Sequence, residues 1–145
     1  MKWIKPINLF ESVQSYQFDK GDDLHYYFID EFRNEFMVEF DKIGDNEVEC
    51  VYLVKDNTKQ HFKWTYKEVK TNIFKVTQTI LSDIIIDFMK NNPNIEEILI
   101  KGLSKEKEKD FISQRTKWYL RFLERNPIEG WSVERSGNEI YLFKN

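Results

Sequence analysis

One cysteine, three prolines, five glycines and no alanine leave this 145-residue chain short of the residues that staple, break or pad a fold. The lone Cys50 cannot form an intrachain disulfide, which fits a reducing compartment. Proline and glycine are too sparse for a linker, and no Ser-rich tract or internal repeat is present, so residues 1–145 read as a single domain. A chain of this length buries roughly 68–70% of its unfolded surface. Long apolar runs are absent too. "MKWIKPINLF" lacks the apolar stretch of a signal peptide, and "ILSDIIIDFM" is too short and too charged to span a bilayer. The expectation is a soluble, cytoplasmic protein without membrane contact. Catalytic signatures are missing as well: no glycine-rich phosphate loop, no C-x-x-C, no H-E-x-x-H and no G-x-S-x-G.

Aromatic residues, by contrast, are plentiful, with 12 Phe, 7 Tyr and 4 Trp to fill a core. The first half alternates with period two, the signature of half-buried strands. Strands are predicted at 24–29, 35–40, 47–54 and 60–66, with Val48, Cys50, Tyr52 and Val54 on one face of the third and Phe62, Trp64 and Tyr66 inward on the fourth. The period then changes. Ile73, Val76, Ile80, Ile84 and Phe88 recur at helical spacing between Thr71 and Asn91, with Lys75, Thr79, Asp83, Asp87 and Lys90 facing out. "NNP" ends that helix, because proline disfavours the helical region in the residue before it. A short buried strand follows at 95–103, then a second helix at 105–125 with Ser104 as N-cap and Phe111, Ile112, Trp118, Tyr119, Phe122 and Leu123 on its apolar side. Two strands around the Ser136-Gly137-Asn138 turn close the chain. The predicted class is α+β: an antiparallel β-meander with two helices packed on one face, in the order β-β-β-β-α-β-α-β-β.

Chemistry is scarce. His25 and His61 lie on the parity opposite their aromatic neighbours and read as surface residues. Cys50 shares parity with Val48 and Tyr52 and reads as a packed core thiol, against the competing reading of a His/Cys pair. Asp83 and Asp87 have an i, i+4 spacing that could hold a divalent ion, but Lys75, Thr79 and Lys90 share their stripe and no third carboxylate joins them. No metal site, cofactor or catalytic residue is assigned, and no enzymatic activity is expected. Strand aromatics could stack nucleic-acid bases, yet the same strands carry acids rather than cations. The second helix offers a basic stripe at Lys117, Arg121 and Arg125, with Lys107 and Lys109 upstream. It could meet RNA phosphates, or be a solvated face partly paired with Glu106, Glu108 and Glu124.

Charge is the strongest surface signal. Net charge is −3, but residues 19–49 alone hold 11 acids against 3 bases. Within "DEFRNEFMVEF" (30–40), Phe36, Val38 and Phe40 take the core parity, and Glu35, Glu39 and Asp41 take the other. If the next strand pairs so that its apolar residues join that core, Glu47 and Glu49 complete a five-carboxylate face, with Met37 and Val51 as apolar contacts. Like charges opposed across strands cost a few tenths to about 1 kcal/mol per pair. Two readings fit: a docking surface for a basic partner, or a hairpin kept soluble by charge.

The stretches "YYFIDEFRNEFMVEF", "TNIFKVTQTILSDIIIDFMKNNPNIEEILIKGL" and "SQRTKWYLRFL" resemble a group of small phage and prophage accessory proteins, over roughly residues 24–123. In that group an aromatic strand pair precedes an F-x-V-x-x-T-I helix, and an Arg/Tyr-bearing helix closes the domain. The abundance of Ile, Lys and Asn and the missing alanine follow AT-rich codons, in keeping with a phage or a low-GC host. In size, acidity and lack of catalytic motifs the chain is similar to anti-CRISPR proteins. That resemblance implies an inhibitor of a host RNA-guided nuclease, acting on guide or target RNA binding through a basic surface of that nuclease. The alternative is a small nucleic-acid-binding accessory protein using the basic helix.

Overall fold

Alternation across residues 25–56 becomes three long strands in a computed structural model, which describes residues 14–57, 63–65, 69–101 and 114–145. In the α+β fold, β1 (Phe18–Asp22), β2 (His25–Ile29), β3 (Glu35–Lys42), β4 (Glu47–Asp56) and β5 (Lys63–Thr65) precede a helix at 73–91, α1. β6 (Glu97–Lys101), a second helix, α2 (Gln114–Arg125), and the hairpin β7 (Trp131–Ser136) and β8 (Glu139–Lys144) follow. The eight strands form one sheet in the order β1-β2-β3-β4-β6-β8-β7, with β5 paired to β4 off that path.

The antiparallel meander expected from the sequence is therefore only part of the sheet, and two corrections apply. A strand, β1, precedes the four expected ones. Its "FDKGD" carries almost no apolar signal because it is an edge strand in which only Phe18 is partly buried. The sheet is also mixed. β6 runs parallel to β4, pairing Glu47–Cys50 with Glu97–Ile100, as a strand–helix–strand crossover requires. β4 thus shares one edge between two partners: β6 along its first half and β5 at its end, where Val54 faces Thr65.

Both helices cover one face, as expected. Tyr26, Phe28, Phe36, Val38, Phe40, Val48, Cys50, Tyr52 and Val54 meet Val76, Ile80, Ile84, Ile85 and Phe88 of α1 and Tyr119, Phe122 and Leu123 of α2 in one buried cluster. Phe40 stacks flat on Phe88, centroids 3.9 Å apart. β6 and β8 add Ile98, Ile100, Ile140 and Leu142 to the same layer.

In α1, the Asn72 side chain accepts from Lys75 N–H at 3.2 Å to start the helix, which ends at Asn91, two residues before Pro93. Its middle, Thr79–Ile84, is π-helical between α-helical Ile73–Gln78 and Ile85–Asn91. An i+4 repeat overshoots a 3.6-residue turn by about 40° per step. The wider π turns offset that drift, so Val76, Ile80, Ile84 and Phe88 all stay buried.

The outward stripe expected for α1 is corrected at two positions. Thr79 is fully buried: its hydroxyl donates to Lys75 O at 2.7 Å and accepts Tyr16 N–H at 2.9 Å. Asp87 accepts the Tyr26 hydroxyl at 2.8 Å. The segment before β1 crosses this side of the helix, and Tyr16 stacks on Phe28. Trp64 is corrected too. The Val54–Thr65 register puts Thr65 on the core parity and turns Trp64 to the opposite face, against Tyr27. The expected inward residues Phe62 and Tyr66, together with His61, lie outside the described residues. So do residues 105–113 of the second predicted helix, with Ser104, Glu106, Lys107, Glu108, Lys109, Phe111 and Ile112.

Turns follow local chemistry. At the β7–β8 hairpin Gly137 has φ 60°, and it is the only positive φ in the two-residue loop, the arrangement of a type II′ turn. Between β2 and β3, Arg33 takes φ 65° after a turn closed by Arg33 N–H on Asp30 O at 3.1 Å. Buried Asp30 holds this loop. Its carboxylate accepts Phe32 N–H at 3.0 Å, Asn34 N–H at 2.7 Å and the Asn34 side-chain amide at 2.8 Å.

Candidate functional site

Register decides where the carboxylates gather. Phe36 pairs with Val54, Val38 with Tyr52 and Phe40 with Cys50, so the apolar residues of β3 and β4 share the helix-covered side. Glu35, Glu39, Asp41, Glu47 and Glu49 consequently fall together on the other side, the outer face. Asp41 stands directly opposite Glu49, and the parallel pairing brings Glu97 beside Glu47.

The face is not bare anion. Lys55 Nζ lies 3.3 Å from Glu35 Oε2, and Lys101 Nζ lies 3.3 Å from Glu49 Oε1. His25 bridges two acids, with Nε2 at 3.2 Å from Glu39 Oε1 and Nδ1 at 2.8 Å from Asp22 Oδ1. Partial burial disfavours its charge, but the bonds to Asp22 and Glu39 outweigh that and hold the imidazole pKa above its ordinary value. The same bond lowers Asp22. Asp41 and Glu47 have no cation partner among the described residues. Partial burial and the Glu39 carboxylate push Asp41 up, and partial burial and Glu47 push Glu97 up.

An apolar row crosses this acid set. Met37, Val51, Leu53 and Leu99 lie on the outer face and are buried there. Tyr27 faces Met37 across β2–β3, and Tyr141 faces Leu99 across β6–β8. The sequence reading found the five acids with Met37 and Val51 but missed Glu97, Leu99, Lys101 and Tyr141. These arrive through the parallel β4–β6 pairing, whose signal was the predicted strand–helix–strand order.

The other candidates separate in space. Cys50 is fully buried, and burial pushes its thiol pKa well above the ordinary range, so it is a core side chain unsuited to nucleophilic work. His25 is on the outer face, away from Cys50 on the core side. Asp87 is engaged by Tyr26 and Asn91, while Asp83 lines a shallow groove with Gln78 and residues 14–19. Among the described residues no three His, Cys, Asp or Glu side chains group to hold a metal ion. Lys117, Arg121 and Arg125 are exposed along α2, with Arg121 5.9 Å from the Trp118 ring. No helix of the described residues is long and apolar enough to cross a membrane. Compared with known proteins, the chain matches no family model, no curated protein and no solved structure.

Proposed function

We propose that the chain is a non-catalytic binding protein, phage-derived and acting in the bacterial cytoplasm, that docks its outer face on a basic surface of a host nuclease. An RNA-guided CRISPR effector is the class of target, its guide- or target-RNA groove being the surface covered. The observation that carries the reading is the placement of five carboxylates of β3 and β4 around an apolar row on one side of the sheet. The half-buried Tyr27 and Tyr141 rings that flank the buried row offer the apolar contact, and the surrounding acids select a cationic groove and speed encounter. Asp41 and Glu47, which form no ion pair among the described residues, are the residues best placed to meet partner lysines and arginines.

The test uses purified RNA-guided ribonuclease effectors mixed with the chain at increasing molar ratio. Cleavage should stop near stoichiometric addition, and the Asp41→Lys/Glu47→Lys double variant should lose inhibition while keeping its fold. Inhibition that survives this reversal, or its absence across the effectors at saturation, overturns the reading.

The basic stripe of α2 supports a second reading, nucleic-acid binding, because Lys117 and Arg121 lie exposed beside the Trp118–Phe74 aromatic pair. It requires RNA or DNA binding that weakens steeply with salt. No retardation of either nucleic acid at low salt eliminates it.

A further inference from the structure

At the corner where β1, β2, β3 and β5 meet, the outer face opens into a cleft of about 480 Å³. Its aromatic wall is the contacting pair Tyr27 and Trp64, with ring centroids 5.9 Å apart and planes tilted by 46°. The strands on either side of β2 each contribute a carboxylate, Asp19 from β1 and Glu35 from β3. Ile29, 58% exposed, forms an apolar rim, and Gln17 completes the wall. Aromatic faces and carboxylates attract the same thing, a cation. One is already near: Lys55, the register partner of Trp64, holds its ammonium 3.3 Å from Glu35. Asp19, exposed and facing Tyr27 across β1–β2, has no ion-pair partner among the described residues.

We propose that this cleft seats one arginine side chain of the basic partner, its guanidinium lying against the exposed side of the Tyr27–Trp64 pair and bonded by Asp19. Arginine is favoured over lysine because a planar guanidinium stacks on tilted rings while presenting a two-pronged edge to a carboxylate. An ammonium is a more strongly hydrated point charge that can do only one of these well. The source of the arginine rests on the docking function proposed above; the cleft's preference for guanidinium does not.

The two are separable with a small probe. Acetyl-arginine N-methylamide is titrated into the ¹⁵N-labelled protein, with the lysine and glutamine analogues as comparisons. The arginine probe should move the Trp64 indole resonance and the amides of Tyr27 and Asp19, the lysine probe less, and the glutamine probe not at all. Trp64→Leu should weaken the response roughly tenfold. Asp19→Asn, at an exposed position, should weaken it while leaving the rest of the spectrum in place. Equal response to arginine and lysine, or shifts spread over the acidic strands without Trp64, overturns the seat even if a nuclease is still inhibited. A response confined to the cleft with no effector inhibited upholds the seat and overturns the nuclease reading.

Discussion

Replacing Asp30 with alanine should be the most disruptive single change in a turn of this protein. The carboxylate is 5% exposed and accepts from two backbone amides and from the Asn34 side chain, at 2.7–3.0 Å. Asn34 in turn donates to Lys70 O at 2.8 Å, so the same carboxylate anchors the approach to α1. Hydrogen bonds to a charged group contribute about 1.5–3 kcal/mol each when their loss leaves partners buried. Phe32 is exposed and Asn34 half-buried, so water replaces part of what is removed. The expected loss is therefore about 3 kcal/mol rather than the full sum. At about 2–4 °C per kcal/mol for a chain of this size, the melting temperature should fall by about 6–12 °C. Urea denaturation should show a lower midpoint with an unchanged slope. Asp30→Asn keeps an acceptor for the backbone amides but turns an amide toward that of Asn34, so it should fall between wild type and alanine. A loss below about 1 kcal/mol for Asp30→Ala, or equal losses for the two variants, would refute this account of the turn.

His25 should titrate above an ordinary histidine by NMR, because Asp22 and Glu39 hold its charged form. A raised folded-state pKa contributes stability that is fully present below about pH 6.5 and lost as pH rises through the folded value; His25→Gln should flatten that part of the stability profile, and an unchanged profile contradicts the bridge. Thr79→Val removes the hydroxyl that receives Tyr16 N–H, leaving a buried amide unpaired, and should cost about 1–3 kcal/mol. Limited proteolysis should then cut near Tyr16 sooner than in the wild type, and equal cleavage rates would show that the hydroxyl does not hold the segment.

What could be read from sequence was whatever has a local period. Phe36, Val38 and Phe40 against Glu35, Glu39 and Asp41 is a two-residue alternation, and a strand has no other way to arrange it. Ile80, Ile84 and Phe88 declared a helix in the same manner, though not its π segment, which is visible only as an i+4 repeat that ought to drift. The failures all involve pairing, which no local period announces. β1 has a charged sequence and earns its place by pairing with β2 and by Tyr16 reaching Thr79. Trp64 followed its apolar character inward, whereas the Val54–Thr65 register turns it out. Glu97 and Lys101 lay inside a strand read at 95–103 simply as short and buried, so their arrival beside Glu47 and Glu49 went unseen. The acidic face was thus legible as a set of acids but not as a partly neutralised one.

The β4–β6 pairing also orders events in time. Glu47 meets Glu97 fifty positions later in the chain, whereas β3 and β4 turn back within a few residues. Loop-closure entropy separates the two by about 2 kcal/mol, since a tenfold longer loop adds (3/2)RT ln 10. Antiparallel zippering of β2, β3 and β4 therefore runs ahead, and β6 joins only after the intervening helix has condensed on the growing core. During that interval Glu49 stands without Lys101, and Leu99 has not yet reached the face. Until Glu97 and Lys101 arrive together, Glu47 and Glu49 stand along an unpaired β4 edge, and their charge keeps that edge from being taken by a neighbouring chain.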